Sequence, residues 1–211
     1  MRTGLRNALR AARRRKQIED YLRAHDVRKL QLGAAENIRP GWLNTDLHGY
    51  GRDDLVYLDV RRPFPLPDTS FDLVYSEHMV EHLTYAEGQH CLRECLRVLR
   101  PGGTIRIATP SLERLAALYD GGDAAGRYVR WAVETLEPEV RVPLPGVVIN
   151  NFFRSWGHRF VYDPQTLRHA LAQAGFVGVE EVPLGELERH LAEVPELNEL
   201  ETFVLEAKRA P

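Results

Sequence analysis

Residues 71–110, FDLVYSEHMVEHLTYAEGQHCLRECLRVLRPGGTIRIATP, constrain the fold of this chain more than any other stretch. Phe71 to Tyr75 is a short apolar run rich in β-formers. Thr84 to Leu99 repeats apolar residues at helical spacing, and Thr104 to Ala108 alternates Ile, Arg and Ile as a strand does. Strand, helix and strand in that order make a βαβ unit, and hence a parallel sheet. Arg100-Pro101-Gly102-Gly103 is expected to divide the helix from the second strand, the proline stopping the helix and the glycines supplying a tight reversal. Open parallel sheets bind ligands beyond the carboxyl ends of their strands, so Ser76-Glu77-His78 and Thr109-Pro110-Ser111 should face a site.

The pairing of FDLVYSEHMVEHL with RVLRPGGTIRIATP closely resembles the class I S-adenosylmethionine-dependent methyltransferases, in particular the type 11 group. With LQLGAAENIRPGWLNTDL upstream and NNFFRSWGHRFVYD downstream, the resemblance covers residues 29–208. It implies an α/β, Rossmann-like fold: a seven-stranded, mostly parallel sheet of order 3-2-1-4-5-7-6, last strand antiparallel, with flanking helices. It also implies S-adenosylmethionine as cofactor and no metal.

Leu30 to Leu32 reads as a short strand ending at Gly33, and the resemblance puts Gly33, Ala34, Ala35, Glu36 and Asn37 against the cofactor. The family pattern here is commonly Gly-x-Gly, and Ala35 stands at the second glycine, where its methyl is strained if φ is positive. The loop also argues against a dinucleotide. Ile38 occupies the third glycine's place, and Asp46 follows Gly33 by thirteen residues, short of the usual twenty or so. There is no GxxxxGK phosphate loop. A cofactor with a sulfonium, an amino-acid group and a nucleoside but no phosphate suits these residues better.

Asp46 ends the next expected strand, Trp42 to Leu47, and by resemblance accepts hydrogen bonds from ribose hydroxyls, of which a carboxylate can take two at once; a turn-forming Asp before His48-Gly49 is the structural alternative. Asp59 ends the strand Leu55 to Leu58 and by resemblance lies near the adenine amino group, with the Val60 backbone beside it. A pairing of Asp59 with Arg61 or Arg62 is the structural alternative. The resemblance sets Ser76 and Glu77 beside the methionine part of the cofactor, Glu77 holding its ammonium; helix capping or charge pairing is the alternative. His78 or His82 could take a proton from the acceptor, because imidazole titrates near neutrality. His78-Met79-Val80-Glu81-His82 also reads as HxxEH, in which two histidines one helical turn apart bind zinc. That reading leaves the third ligand unidentified and RPGG unexplained, and no metal is assigned.

After Thr104–Ala108, Ser111 caps a helix to about Tyr119, and residues 121–160 then interrupt the strand–helix rhythm and are read as a substrate lid. Within it, Arg154 offers an anion clamp, Trp156 a stacking wall and His158 a second base, with Asn150, Asn151, Phe152 and Phe153 alongside. The alternative is that Phe152, Phe153 and Trp156 only bury the lid. Asp163-Pro164 starts a helix, Gln165 to Ala174; strands follow at Phe176 to Val182 and Thr202 to Lys208, joined by a glutamate-rich segment, Glu186 to Glu201, read as a solvated connection, with a substrate role as the alternative from its position near the sheet end.

Charge is uneven along the 211 residues. Residues 1–29 carry ten Lys or Arg against three acids, leaving eighteen basic against twenty-seven acidic residues in the remainder. Residues 1–28 are read as a basic helix and 29–211 as the catalytic domain. Leu5, Leu9, Ile18 and Leu22 could pack the helix on the domain; a membrane surface, an anionic substrate or RNA could meet its cationic side, and the start also resembles a transit peptide. The acidic body and the lack of an NPPY-like tetrapeptide argue against nucleic acid. Cys91 and Cys95, four apart on a helix without paired CxxC motifs, read as buried free thiols, and with no apolar membrane span the expected location is cytoplasmic. The expected function is methyl transfer to a small-molecule, sugar or lipid acceptor, in cell-envelope glycan or natural-product tailoring by analogy. The alternative is a non-catalytic binding subunit with a weakened cofactor loop.

Overall fold

The computed structural model describes residues 2–49, 52–191 and 200–211. It begins with a helix, α1 (Arg2–Ala24), followed by four short or medium strands: β1 (Lys29–Leu32), β2 (Leu43–Asp46), β3 (Val56–Tyr57) and β4 (Phe71–Glu77). Then come α2 (Tyr85–Val98), β5 (Leu99–Pro110), α3 (Leu112–Ala117), α4 (Asp123–Leu136), α5 (Pro145–Arg154), α6 (Pro164–Ala174), β6 (Phe176–Val182) and β7 (Thr202–Arg209). The strands form one sheet of order β3-β2-β1-β4-β5-β7-β6. β7 runs antiparallel to both its neighbours and every other pair is parallel, as the family resemblance implied.

The sheet has two unlike faces because its registers sort the side chains. Leu30, Val74, Ile105 and Ala207 stand in one row across β1, β4, β5 and β7. That row is buried under Cys91, Leu92 and Cys95 of α2 and Leu167, Ala170 and Leu171 of α6. α2 is fixed at its start by a capping box between Thr84 and Glu87, a device that contributes about 1 kcal/mol. Asp163 caps α6, with Pro164 at its first position and Gly175 closing it in a left-handed conformation.

The next row on the opposite face is Gln31, Tyr75, Arg106 and Glu206. Among the described residues no crossover helix lies between β1 and β2 or between β2 and β3, yet both pairs are parallel. Side chains and a turn cover this face instead. Trp42 meets Tyr75 edge-on at 6.1 Å, and the Arg39 guanidinium stacks 4.7 Å from the Tyr75 ring. Arg106 forks onto Glu188, with contacts of 2.8 and 2.7 Å, and also reaches Glu206 at 2.7 Å. Glu188 belongs to a 3₁₀ turn, Glu186–Leu191, so the segment expected to be a solvated connection contributes a fully buried carboxylate. Residues 192–199 of that segment lie outside the described residues.

Several boundaries differ from the sequence reading. Leu99 turns extended directly after α2, so Arg100-Pro101-Gly102-Gly103 lies within β5, at the irregularity in its pairing with β4 between Phe71–Leu99 and Leu73–Thr104, rather than separating helix from strand. Ser76 and Glu77 remain within β4, and only His78 leaves it. Ile18 and Tyr21 of α1 are buried, and the Tyr21 hydroxyl bonds both the N–H and the C=O of Lys29. Leu9, expected in the same buried stripe, is 62% exposed, and the Leu5 side chain lies outside the described residues. Cys91 and Cys95 are both buried free thiols. No helix among the described residues is long and apolar enough to cross a membrane.

Candidate functional site

The carboxyl ends of β1, β2 and β4 build one corner. After β1 the chain turns at Gly33, whose φ is +67° and whose added Cβ would stand 2.5 Å from Met79 Cγ, so only glycine fits. Ala34 donates its N–H to Thr45 O at 3.0 Å, tying the loop to β2. Ala35 adopts φ +46°, so the methyl at the second glycine position is held in the left-handed region, at a cost of about 1 kcal/mol. Its N–H donates to Asp46 Oδ2 at 3.0 Å, and His48 N–H donates to Asp46 Oδ1 at 2.8 Å. Each Asp46 oxygen thus accepts one backbone bond and keeps lone-pair capacity for a second donor.

Asp59 is clasped by Arg61 through two contacts, of 2.8 and 3.0 Å, and this pair holds its carboxyl below the usual range. Val60 beside it is half-buried against the core. Glu77 ends β4 with 8% exposure, 3.5 Å from Arg39 Nη2 and 3.3 Å from Asn37 Nδ2. Burial dominates there and pushes its carboxyl up to about 7, against the pull of His78 and Arg39. The Ser76 side chain, on the opposite face from Glu77, is buried, and its hydroxyl has no hydrogen bond among the described residues.

His78 has φ +43°, which redirects the chain out of the strand. The following residues form a 3₁₀ turn, Val80–His82, so His78 and His82 are not one α-helical turn apart as an HxxEH zinc site would need. Beyond this turn is a cavity of 280 Å³ lined by His78, Glu81, His82, Glu201 and His158, with Trp131, Leu136, Phe152 and Trp156 as its apolar wall. Glu81 is fully buried; its Oε2 accepts from Thr109 Oγ1 at 3.0 Å, and its Oε1 lies 3.5 Å from His78 Nδ1. Burial opposes charge on both members of that pair, but their mutual attraction prevails: His78 is raised and Glu81 lowered from their ordinary values.

His158 comes from the loop after α5, and backbone bonds place it. Arg159 N–H and Phe160 N–H both donate to Glu81 O, at 2.7 and 3.1 Å, fastening this loop to the 3₁₀ turn. His158 and His82 then meet edge to face at 4.9 Å. His158 Nδ1 lies 2.7 Å from Phe152 O, which fixes Nδ1 as the protonated nitrogen and leaves the lone pair on Nε2. Burial lowers the His158 imidazole from its ordinary value.

Four of the sequence-expected residues converge on the cavity: His78, His82, Trp156 and His158. Arg154 does not; it is exposed in a neighbouring groove with Glu137, Asn150 and Ser155. Phe152 is buried, whereas Phe153 and Trp156 are 47% and 49% exposed, so these two do not serve to bury the insertion. Trp131 and Glu201 were not singled out as site residues. Trp131 lies on α4, where nothing local marks it, and Glu201, bonded by the Tyr128 hydroxyl, ends the glutamate-rich run whose position near the sheet end allows a substrate role without singling out this residue.

Comparison with known proteins bears on this arrangement. Residues 37–107, which run from the first loop through β5, match the methyltransferase domain family. The matched stretch is about a third of the chain, and its likeness is to the type 11 methyltransferase domain. A probable S-adenosylmethionine-dependent methyltransferase of Mycolicibacterium smegmatis is 47% identical over 47 residues, 22% of this chain and 18% of that protein. The match thus spans under a fifth of that relative. An S-adenosylmethionine-dependent methyltransferase from Mesorhizobium loti superposes with a TM-score of 0.52 at 20% identity, over 89% of this chain and 95% of that one. A Thermotoga maritima methyltransferase, described as a possible histamine N-methyltransferase, gives 0.52 at 15% identity, over 90% and 87% of the two chains. At these identities the likeness is one of fold. S-adenosylmethionine is the cofactor of such methyltransferases, and the residues of the β1–β2–β4 corner are compatible with it: Asp46 retains acceptor capacity, Gly33 keeps side chains out of the first turn, and Glu77 is an acid beside the loop.

Proposed function

We propose that this protein transfers a methyl group from S-adenosylmethionine to a small acceptor held in the cavity beyond β4. The observation that carries the reading is the divergence of two consecutive residues. Glu77 belongs to the corner formed with Asn37 and Arg39, and His78, turned by its left-handed backbone, belongs to the cavity. Donor and acceptor sites therefore share one strand exit.

When bound, S-adenosylmethionine supplies an electrophilic methyl on a sulfonium centre. Asp46 would accept from two ribose hydroxyls, the loop from Gly33 to Asn37 would follow the cofactor's backbone-facing edge, and the Val60 backbone would border the base. Glu77 would hold the ammonium. His82 and His158 turn imidazole rings into the cavity, where an acceptor hydroxyl or ammonium would lose its proton, and Trp131, Phe152 and Trp156 would wall the acceptor in. Much of the acceleration in such a transfer comes from holding the reacting atoms at about 3–3.5 Å. Residues 121–160, which carry α4 and α5, would act as the lid. Arg154 has no part in this scheme because it opens on another groove.

At 280 Å³ the cavity suits a sugar ring, a small aromatic or the reactive end of a lipid rather than a folded polymer. Cell-envelope glycans and natural products offer acceptors of that size. A second reading, a non-catalytic binding subunit, draws support from Ala35 in a left-handed conformation and from the Arg61 clasp on Asp59. Methyl-labelled S-adenosylmethionine incubated with a panel of sugar, phenol, amine and lipid acceptors separates the two. Label on one acceptor class, lost in Asp46→Ala, supports transfer; partner binding with no cofactor uptake supports the subunit reading.

A further inference from the structure

The cavity holds a donor set that methyl transfer alone does not explain. One ligand atom each from Glu81, His82 and His158 lie within 4.8 Å of one another. A tetrahedral ion with bonds of about 2.0–2.2 Å needs its donors about 3.3 Å apart, so side-chain rotation of about an ångström closes the set. We propose that Glu81, His82 and His158 form a binding site for one divalent transition-metal ion, with zinc the best match to two imidazoles and a carboxylate.

Three observations support it independently. First, Glu81 Oε1 is fully buried and accepts no hydrogen bond among the described residues; its ion-pair partner His78 Nδ1 stands 3.5 Å away, beyond a sound hydrogen bond. A buried carboxylate oxygen held only by so long a pair is incompletely compensated, and a directly coordinated cation would complete it. Second, the surroundings orient the ligands as metal sites do. Phe152 O accepts from His158 Nδ1, leaving Nε2 to coordinate, and Thr109 Oγ1 donates to the other oxygen of Glu81. Neither ring nitrogen of His82 has a hydrogen bond among the described residues. Third, the two halves are brought together by backbone: the double bond from Arg159 and Phe160 to Glu81 O, reinforced by Arg159 on Glu87 at 2.6 Å, holds the His158 loop against the turn.

The set differs from HxxEH, in which His78 and His82 would bind and Glu81 would activate water. Here His78 pairs with Glu81 and the third ligand arrives from 76 positions beyond His82. Three protein ligands would leave a fourth position for an acceptor oxygen in the cavity that Trp131 and Trp156 line; with both imidazoles ligated, the ion rather than either ring would lower that hydroxyl's pKa. That use rests on the methyl-transfer reading, whereas the existence of the site does not.

Full-length protein treated with chelator and titrated with zinc by calorimetry, and with cobalt(II) followed by visible absorption, tests the site. The expected result is one ion per chain, with affinity reduced by about tenfold or more in His82→Ala and in His158→Ala. His169→Ala, on the exposed face of α6, should bind as the unmodified protein does. Glu81→Gln could fail to fold, so His158→Ala carries the decision, with circular dichroism and melting showing that it remains native. No saturable binding at millimolar metal, or binding indifferent to both histidine substitutions, overturns the proposal. S-adenosylhomocysteine titrated into the same metal-free samples is read separately: retained metal without nucleoside binding removes the catalytic use but leaves the site, and the converse removes the site but leaves the methyltransferase.

Discussion

The proposed cofactor corner and the proposed acceptor cavity meet at Glu77 and His78 yet are built on opposite terms. In the corner nearly every acid already has a partner from its own chain: Asp46 has two backbone amides, Asp59 has Arg61, Glu77 has Arg39 and Asn37, and behind them Glu188 has Arg106. In the cavity, Glu81 Oε1 and the His82 ring lack hydrogen bonds among the described residues, and His78 and Trp156 adopt positive φ. The first region is a frame whose charges hold structure as well as ligand. The second is kept open at the expense of satisfied bonds and relaxed backbone, as sites shaped for binding often are.

Substitutions should therefore fall on stability in one region and on chemistry in the other. Arg106→Ala leaves Glu188 buried and uncompensated, and urea unfolding should show a loss of about 3–5 kcal/mol. Gly33→Ala combines a left-handed φ with a contact at 2.5 Å to Met79, for a loss of about 2–4 kcal/mol by the same method. Trp156→Ala is the counterpart in the cavity. Half exposed, it should cost under about 1 kcal/mol of stability while lowering methyl transfer about tenfold or more. Equal stability losses for Trp156→Ala and Gly33→Ala would erase the contrast.

Glu77 sharpens the comparison through pH. Its folded value of about 7 lies above the ordinary 4.5, so the folded state retains a proton that the unfolded chain releases. Stability is then fully present below pH 4.5 and falls by about 3 kcal/mol as pH rises to 7, a slope that Glu77→Gln should remove. A ligand ammonium favours the carboxylate, so S-adenosylhomocysteine binding below pH 7 should release a proton, visible as a buffer-dependent heat. The smallest expected effect is at Ala35→Gly, where relief of the left-handed alanine should gain up to about 1 kcal/mol and tighten cofactor binding a few-fold.

Much of the frame was legible in residue order. The βαβ unit, the strand end at Asp46 and the capped helices all follow from periodicity and turn chemistry, which are local, whereas the last two residues of β4, Ser76 and Glu77, were read as already outside it. The polar sheet face was not. Arg106 sits in an Ile-Arg-Ile alternation that reads as a half-solvated strand, and its partner Glu188 lies 82 residues away in a segment whose composition suggests exposure. The meeting of His82 with His158 was hidden for the same reason, because the backbone bonds that bring them together are indifferent to side-chain identity. Ala35 was identifiable as a departure, but the sign of its φ was not, since alanine gives no cue for the left-handed region.

The most direct test of the account is calorimetric titration of S-adenosylhomocysteine into the full-length protein and into Asp46→Ala. One site of micromolar affinity, abolished by the substitution while the fold is retained, is the predicted result. Binding untouched by Asp46→Ala, or no binding at millimolar ligand, would contradict the assignment of the β1–β2–β4 corner to the cofactor.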